Sequence, residues 1–542
     1  MSVYWLRKFR HGSDTSRAAA LEDQLFARVL YSEQTPYPWD QESASLRLGT
    51  LMDGKPLMMP ASALNQNALS TGTTGGGKTA NDAGHAVETC DAEGAGAMAW
   101  GNSKRDLIQY FRAGLAHKLL RMQSSEATAI LRRVVVLAPG SAHHLVPLQL
   151  LALPPGADPE LLAFDVASSF ANLSESAIGV RQEEDVDDVF ALCIEFNLPI
   201  TVAKRLLRSP ELIVRLARRS RNPERFLAFA LRVRRAANSD RQGGLIARFS
   251  RITRLRFMRL MLGGARSCID FAVLMACLMI ILVDLSAPDH GCEEALRFVG
   301  HFLWKRFVRA GLSRPIGSPH FPVFIDEFQE LLAAGPDVGP DLERCLRLVR
   351  ARGLSLHLAT QSLAGLQKYS SSLPEILRVN TGLHFVFRGG DLWDSALPVT
   401  GKKRRSRLPW ETEPRGNIFL SRAEEIAALR AQLETLPNRH CFVHDARTGR
   451  PAICMRTADV DLAMPEDCPS HIVEGLERGT LVLPVSELEA GLEEVEGRLA
   501  ELADDTRLSE ADDDGPVVLP ELVTRKPTEP ARLRGRRPVE MG

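Results

Sequence analysis

The sequence predicts an α/β fold in which a mostly parallel sheet is interrupted by an all-α insertion. Three observations support this prediction. A glycine-rich loop, TGTTGGGKTA at 71–80, separates a short apolar segment from a helix-like one. Two later apolar segments, FPVFI at 321–325 and LSLHLAT at 354–360, end in polar residues, as buried parallel strands do at a ligand crevice. Residues 157–265 repeat apolar side chains at helical spacing.

The composition is that of a globular protein. Its 542 residues suffice for roughly three or four domains, and an apolar content of 45% excludes disorder of the whole chain. The 67 basic and 67 acidic residues balance, so affinity for a polyanion requires an uneven distribution of charge. Nine cysteines without a C-x-x-C pair fit free thiols in a reducing cytoplasm better than a disulfide framework or a zinc site.

Membrane insertion is not predicted. The N-terminal segment mixes charge into every turn and lacks the apolar core of a signal peptide. The longest uncharged apolar run, 271–283, is shorter than the roughly 20 residues that span a bilayer as a helix. Asp270 and Asp284 bracket this run. We therefore expect a buried helix end that leads into a buried strand, in a cytoplasmic protein.

Residues 72–79 satisfy the P-loop pattern G-x-x-x-x-G-K-[ST]. A loop without large side chains lets backbone N–H groups wrap a phosphate at close range. Lys78 is expected to reach the β and γ phosphates of ATP, and Thr79 to offer a hydroxyl to Mg²⁺. A predicted strand at 62–71 and a predicted helix start at 79–93 argue against the alternative, a flexible Gly/Thr linker. The predicted nucleotide-binding residues are Gly72, Thr73, Thr74, Gly75, Gly76, Gly77, Lys78, Thr79 and Ala80.

Two adjacent acids follow the predicted strand that ends at Ile325. The carboxyl end of a buried parallel strand opens onto the ligand crevice, so Asp326 is expected to hold Mg²⁺ and Glu327 to orient the attacking water. A surface acid pair at a strand end is the alternative, because such pairs are common. The full P-loop favours the catalytic interpretation.

Polar and basic residues flank the LSLHLAT strand. Gln361 follows it and is expected to sense the γ phosphate. Arg350, before the strand, is the first candidate for an arginine that reaches the nucleotide of a neighbouring subunit, and Arg352 is the second. A solvated basic helix end is the alternative for both arginines.

The second half of the insertion is strongly basic. Between Lys204 and Arg266, eighteen basic residues face three acidic ones, a net charge of +15. Such a concentration of charge predicts contact with phosphate backbones, most plainly those of DNA, and a solvated helix face is the alternative. The predicted contacts, which have no acid nearby in the sequence, are Arg218, Arg219, Arg234 and Arg235. A second cluster in a predicted loop suggests backbone contact without base reading: Lys402, Lys403, Arg404 and Arg405.

The C-terminal region is acidic. Between Glu487 and Asp514, twelve acidic residues face two arginines, a net charge of −10, and leucines recur at helical spacing. This predicted amphipathic helix could mimic nucleic acid, contact the basic insertion, recruit a partner or simply be solvated. The Pro- and Arg-rich residues from 515 onward are predicted to be disordered.

The order of these motifs resembles a known family. The P-loop, a long helical insertion, LVDLS, IDEFQ, RARGLSLHLATQSLAGL and NTGLHFVFR are similar to the coupling-protein ATPases of bacterial conjugation and type IV secretion, the TraG/TraD group. That group belongs to the FtsK/HerA class of motors, and the resemblance covers roughly residues 45–455. It implies a RecA-like P-loop ATPase core, ATP and Mg²⁺ as cofactors, single- or double-stranded DNA as a partner, and a homo-hexamer with nucleotide between subunits.

The resemblance also carries residue roles and further partners. Lys78, Thr79, Asp326, Glu327 and Gln361 take the roles given above, and Arg350 matches the place of a trans-acting arginine. A relaxase or type IV secretion channel components would be further partners. The acidic-Pro-Lys-Gly-acidic stretch of many relatives is altered here to Asn102, Ser103, Lys104, Arg105 and Asp106, and Asn67 replaces a common histidine.

Membrane-bound relatives begin with transmembrane helices, which this sequence lacks. The resemblance therefore implies a protein that works in the cytosol or docks on a separate membrane-anchored partner, peripherally at the inner membrane.

Together these observations predict six segments. They are an N-terminal segment (1–44), the P-loop half of the core (45–156), the basic all-α insertion (157–265), the second half of the core (266–463), an acidic helical region (464–514) and a tail (515–542). The predicted function is that of an ATP-hydrolysing motor that moves DNA. A secretion-associated ATPase that engages proteins is the first alternative, and a nucleotide-gated scaffold without useful turnover is another.

Overall fold

The computed structural model describes residues 39–41, 45–90, 95–102, 104–141, 145–153, 156–171, 179–236, 240–266, 269–286, 292–391 and 421–504. The strands are β1 (Leu46–Leu51), β2 (Pro56–Met59), β3 (Ala68–Thr71), β4 (Ala97–Gly101), β5 (Val134–Leu137), β6 (Ile280–Asp284), β7 (Phe321–Ile325), β8 (Leu354–Thr360), β9 (Leu383–Phe387), β10 (His440–Asp445) and β11 (Ile453–Thr457).

All the described α-helices follow the P-loop strand in sequence. They are α1 (Lys78–Thr89), α2 (Asp106–Leu120), α3 (Ser124–Leu131), α4 (Pro159–Ala171), α5 (Val180–Glu195), α6 (Ile200–Leu206), α7 (Pro210–Arg218), α8 (Pro223–Ala236), α9 (Asp240–Thr253), α10 (Arg256–Leu262), α11 (Phe271–Ala276), α12 (Glu293–Ser313), α13 (Phe328–Leu332), α14 (Val338–Leu348), α15 (Leu373–Asn380), α16 (Arg422–Leu433), α17 (Ser470–Arg478) and α18 (Val485–Ala503).

One sheet organises the fold. Its eleven strands run in the order β2-β1-β11-β10-β9-β3-β8-β7-β4-β6-β5. From β9 to β5 every pairing is parallel, and from β2 to β9 every pairing is antiparallel. Strand β3, which leads into the P-loop, lies between β8 and β9, and β7 lies beside β8. The α/β prediction with a mostly parallel sheet is confirmed.

The parallel strands are mostly apolar and are buried along their whole length, as strands covered on both faces are. Every residue of β4, β6, β7 and β8 is buried. Buried aromatic side chains pack against these strands, including Trp100 of β4 against Trp304 of α12 with ring centroids 6.0 Å apart. This core fixes the carboxyl ends of the strands, where the predicted site residues lie.

Several element predictions are confirmed and one is wrong in extent. The apolar run 271–283 forms α11 and then β6, and the described residues contain no helix long and apolar enough to cross a membrane. The predicted strand at 62–71 exists only as β3, because a 3-10 helix occupies Ala61–Asn65. Asn67, between the two, donates from Nδ2 to the carbonyl oxygens of Leu346 (3.0 Å) and Asn380 (3.1 Å), contacts that fix the entry into β3.

The described residues of the predicted insertion form seven helices, α4 to α10, between β5 and β6. They share an apolar core in which Phe170, Phe190 and Phe249 contact one another. The predicted acidic helix is present as α18. Lys402, Lys403, Arg404 and Arg405, the predicted tail at 515–542 and most of segment 1–44 lie outside the described residues.

Candidate functional site

The predicted P-loop follows β3 directly and ends in α1, whose first residue is Lys78. Gly72, Gly75 and Gly77 have φ values of 148°, 77° and 109°, in the region that favours glycine. A Cβ on Gly72 would lie 2.7 Å from Cβ of Phe387, and a Cβ on Gly77 would lie 3.1 Å from Cα of Arg439. Gly72 and Gly77 are therefore required by close contacts with other parts of the same chain, whether or not a phosphate is bound.

Backbone hydrogen bonds fix the loop from behind. The carbonyl oxygen of Arg388, just after β9, accepts from the Thr73 backbone N–H at 2.8 Å and from its hydroxyl at 3.2 Å. The backbone N–H of Arg439, just before β10, donates to the Gly76 carbonyl at 2.9 Å. Thr73, Thr74 and Gly75 are exposed at the outside of the loop, whereas Gly76 is buried and Ala80 lies in the first turn of α1. Residues beside β9 and β10 thus shape this glycine-rich loop.

Lys78 points back across the loop. Its Nζ donates to the carbonyl oxygens of Gly72 at 2.6 Å and Thr73 at 3.1 Å, and the side chain is buried. Burial lowers the pKa of Lys78, while the nearby carboxylates of Glu327 and Asp326 act in the opposite direction. The ammonium group lies at the mouth of the loop, where it can exchange carbonyl oxygens for phosphate oxygens.

The structure brings Thr79 and Asp326 together. The Thr79 hydroxyl donates to Oδ2 of Asp326 at 2.8 Å, and Asp326 is 5% exposed. Burial raises the pKa of Asp326, and the hydrogen bond from Thr79 opposes this shift. One hydroxyl and one carboxylate suit Mg²⁺, which binds one or two protein oxygens and completes its octahedron with phosphate oxygens and water. Within the described residues no cluster of three or more His, Cys, Asp or Glu could hold a metal by itself.

Glu327 and Gln361 also meet. Oε1 of Glu327 accepts a hydrogen bond from Nε2 of Gln361 at 3.0 Å, although the two residues follow different strands. Glu327 has φ 46° and ψ 49°, a left-handed conformation that is uncommon outside glycine, and it caps the start of α13. This turn separates the two acids, so that Asp326 faces Thr79 and Glu327 faces Gln361.

Three polar residues complete this group and were missed or given no role from the sequence. Lys104 forms an ion pair with Oε1 of Glu327 at 3.1 Å. Nδ2 of Asn102 donates to the carbonyl oxygen of Asp326 at 3.0 Å, and the amide of Gln329 donates to Oε2 of Glu327. Asn102 and Lys104 come directly after β4, the parallel neighbour of β7. A polar run after a buried parallel strand was the signal that could have identified them.

The hydrogen bonds to Glu327 decide its charge. Burial alone would raise the pKa of Glu327, but the donors Gln361, Gln329 and Lys104 outweigh burial and lower it. Lys104 responds in the opposite sense: burial would lower its pKa, and the bond to Glu327 raises it. Glu327 is therefore an ionised carboxylate whose position is fixed by these hydrogen bonds.

A further acid lies under the loop. Asp82, in the second turn of α1, is buried, and its Oδ1 accepts from the Ser70 hydroxyl at 3.0 Å. Burial, together with the charge of Asp326, raises the pKa of Asp82 to about 7. Asp82 was not predicted as a site residue, because its burial follows from the packing of α1 under the loop.

The structure separates Arg350 from these residues. Arg350 is exposed in a 3-10 turn, Arg350–Arg352, that precedes β8. The seven residues of β8 place this turn about 20 Å from Gln361, at the opposite end of the strand. Arg352 donates to the backbone oxygen of Arg314. Neither arginine can contact the P-loop of its own chain. A role at the site of a neighbouring subunit would not require that contact.

The basic insertion is less unbalanced than its sequence suggests. The expectation that all four predicted DNA contacts lack a nearby acid is wrong for Arg234, which lies 3.4 Å from Glu211. Arg219 donates to backbone oxygens at the end of α18. Arg218 and Arg235 are exposed.

Acids of α5, which precede the counted segment, pair with arginines of α8. Arg225 lies 2.6 Å from Asp188, and Arg232 lies 3.2 Å from Asp185. The helix packing thus neutralises part of the positive charge that the sequence concentrates between 204 and 266.

No protein-family model matches the chain, and no curated protein matches it. Among solved structures, the bacterial conjugative coupling protein TrwBdeltaN70 is similar at 16% identity and a TM-score of 0.47, over 81% of this chain and 92% of that one. TrwB in complex with ADP and Mg²⁺ is similar at 16% identity and a TM-score of 0.45, over 78% and 93%. VirB4 of Thermoanaerobacter pseudethanolicus is similar at 12% identity and a TM-score of 0.46, over 78% and 98%.

Proposed function

We propose that this chain is a P-loop ATPase that uses ATP hydrolysis to move DNA, in the manner of a conjugative or type IV secretion coupling protein. One observation carries the ATPase part. The P-loop Thr79, the strand-end acids Asp326 and Glu327, and Gln361 come from three adjacent strands and lie within hydrogen-bond distance of one another in pairs. This is the arrangement that phosphoryl transfer to water requires.

The residues divide the work among them. Lys78 neutralises charge on the β and γ phosphates, and Thr79 and Asp326 hold Mg²⁺. Bound Mg²⁺ neutralises the charge that develops on the phosphate oxygens. Glu327 accepts a hydrogen bond from the attacking water and so orients it, while Gln361 links this carboxylate to the end of β8. Buried surroundings strengthen each of these interactions.

The proposal extends to a ring. Arg350 is exposed just before β8, far from its own P-loop, so a catalytic role for it requires the site of a neighbouring copy. A homo-hexamer with nucleotide between subunits supplies that neighbour and leaves a central passage for DNA. A relaxase, secretion channel components and a separate membrane-anchored protein are the partners that such a motor would meet.

The insertion is proposed to contact the DNA backbone. Arg218 of α7 and Arg235 of α8 are exposed and make no described ion pair. Arg219 follows Arg218 in the turn after α7, and Arg234 precedes Arg235 on α8. Lys402, Lys403, Arg404 and Arg405 are proposed as a second contact. Contacts of this kind neutralise phosphates without reading bases, so binding should be insensitive to sequence and sensitive to salt.

ATPase rates with and without DNA test the whole proposal. We expect hydrolysis that Lys78→Ala abolishes, that rises on adding single- or double-stranded DNA, and that is greatest in the hexamer fraction. DNA affinity should fall steeply between low and moderate salt. Turnover by Lys78→Ala equal to that of the unchanged chain would remove the ATPase assignment. Full turnover with no response to either DNA would remove the DNA part alone.

A second candidate is a secretion-associated ATPase that engages proteins. Leu161 and Phe164 of α4 are 50% and 67% exposed on one side of the insertion, an apolar feature suited to protein contact. DNA-independent ATPase activity together with direct binding of a purified secretion component would favour this alternative.

A further inference from the structure

The acidic helix α18 packs against the basic insertion along an apolar stripe. Leu488, Val495 and Leu499 are 4%, 4% and 1% exposed, and they recur at the spacing of one helix face. Leu488 contacts Leu260 of α10. A Cβ on Gly263, just after α10, would lie 2.3 Å from a methyl carbon of Leu492, so this glycine permits close packing. The stripe seats α18 against α7 and α10.

Two carboxylates beside this stripe contact arginines of the insertion. Glu489 lies 2.7 Å from Arg256, and Glu496 lies 2.7 Å from Arg205. Seven residues separate the two glutamates, which places them about 10 Å apart along one side of the helix. The side chains of both pairs are at least half exposed, so each pair is weak and open to exchange with solvent ions.

The end of α18 contacts two more arginines. Arg215 donates to the Ala503 carbonyl at 2.8 Å, and Arg219 donates to the carbonyls of Glu501 at 3.2 Å and Asp504 at 2.7 Å. The last carbonyls of a helix have no partner within it and carry partial negative charge. Arg219 is one of the arginines proposed above to contact DNA. The helix therefore presents anionic oxygens to the surface that the proposed function assigns to phosphates.

We infer that α18 covers a binding surface for a nucleic-acid phosphate backbone and competes with that backbone for the same arginines. The surface consists of Arg205, Arg215, Arg219 and Arg256, and is called the covered arginine surface below. Carboxylate and carbonyl oxygens accept from arginine as phosphate oxygens do, so one can replace the other. This inference rests on the proposed function. It adds that the full chain binds DNA more weakly than it would if α18 did not cover these arginines.

Matched substitutions on α18 test the competition in the full chain. Glu489→Gln with Glu496→Gln removes both ion pairs. Glu493→Gln with Glu494→Gln removes the same charge from exposed positions that make no described ion pair. Titration of a labelled single-stranded oligonucleotide and of its duplex should show the first variant binding roughly fivefold more tightly than the unchanged chain, the factor expected for two exposed pairs. The second variant should change affinity far less.

An engineered, reducible disulfide between α18 and the insertion tests the competition by strengthening the cover instead of weakening it. A Cβ on Gly491 would lie 3.8 Å from Cα of Gly264, so the two backbones approach closely there, and formation of a disulfide between cysteines at these positions is checked by the loss of two free thiols on oxidation. Gly264→Cys with Gly491→Cys, once oxidised, should bind the oligonucleotide more weakly than the unchanged chain, and reduction should restore its affinity. The unchanged chain, treated identically, is the control for its own cysteines.

The outcomes separate the inference from the function beneath it. Equal DNA affinity in all four proteins, oxidised or reduced, would overturn the competition and leave DNA binding intact. Tighter binding by both glutamine variants alike would reduce the effect to net charge and would also overturn it. No DNA binding by any protein, with ATPase activity retained, would remove the DNA function and the inference with it.

Discussion

The most informative single substitution is Glu327→Gln, because the hydrogen bonds around this side chain allow the amide to replace the carboxylate. Oε1 of Glu327 accepts from Lys104 and Gln361, and an amide oxygen in that place can accept from both. The new amide nitrogen would face Gln329. The Oε1 atom of Gln329 is buried and has no hydrogen-bond partner among the described residues, so rotation of its amide supplies an acceptor.

The expected magnitudes follow from this geometry. The variant keeps its hydrogen bonds and loses only the charge opposite Lys104, whose side chain is 41% exposed. The cost in the free energy of unfolding should therefore be no more than about 1 kcal/mol. A water-orienting base contributes about 10²- to 10⁴-fold to turnover. We expect kcat to fall by about that factor while ATP affinity changes little.

Steady-state ATPase assays, ATP-analogue binding and thermal unfolding check these expectations together. Glu330→Gln, which removes the same charge three residues further on, is the control and should retain turnover. Near-normal kcat in Glu327→Gln would refute the catalytic assignment. A large drop in Tm would instead refute the reasoning from hydrogen bonds, because it would mean that the amide is not accommodated.

Three further predictions address neighbouring features. Lys104→Met should lower kcat roughly tenfold and leave KM for ATP nearly unchanged, as expected for loss of a half-exposed charged hydrogen bond. Lys104→Arg should restore most of kcat. An unchanged kcat in Lys104→Met would exclude a role of Lys104 in positioning Glu327. Asp82, with a pKa raised to about 7 by burial, binds its proton more tightly when folded, so the free energy of unfolding should fall as pH rises from about 4 to 7. Asp82→Asn should flatten that fall in denaturant titrations, and an undiminished slope would contradict the assignment. Arg218→Ala with Arg235→Ala should reduce the slope of log affinity for DNA against log salt by about 2, whereas Arg378→Ala, which removes an exposed arginine paired with Glu375 on α15, should not.

The elements that carry the site could be predicted because their signals are local. A glycine loop before a lysine, and apolar strands that end in acids or glutamine, require only a few consecutive residues. The adjacency of β3, β8 and β7 then follows from the tendency of such ends to meet at one crevice. Thr79 and Asp326, 247 residues apart, accordingly lie in hydrogen-bond contact.

What could not be predicted depends on packing between distant helices. The charge of the insertion was counted along the sequence, but α5 supplies acids to α8, and the carbonyl of Ala503 in α18 accepts from Arg215 of α7. Lys104 carried no recognised role, because its partner Glu327 lies 223 residues away. The extent of β3 was also wrong, since side-chain bonds from Asn67 to two distant carbonyls shape the chain before it.

The hydrogen bonds that fix the P-loop come from residues far along the chain, which affects folding during synthesis. Thr73 is held by the carbonyl oxygen of Arg388, 315 residues later in the chain. Synthesis adds about 5–20 residues per second, so roughly 15 to 60 seconds pass between synthesis of the loop and synthesis of its support. Through that interval the nascent chain carries the glycine segment without this support, and nucleotide can find the supported loop only after residue 388 has been synthesised.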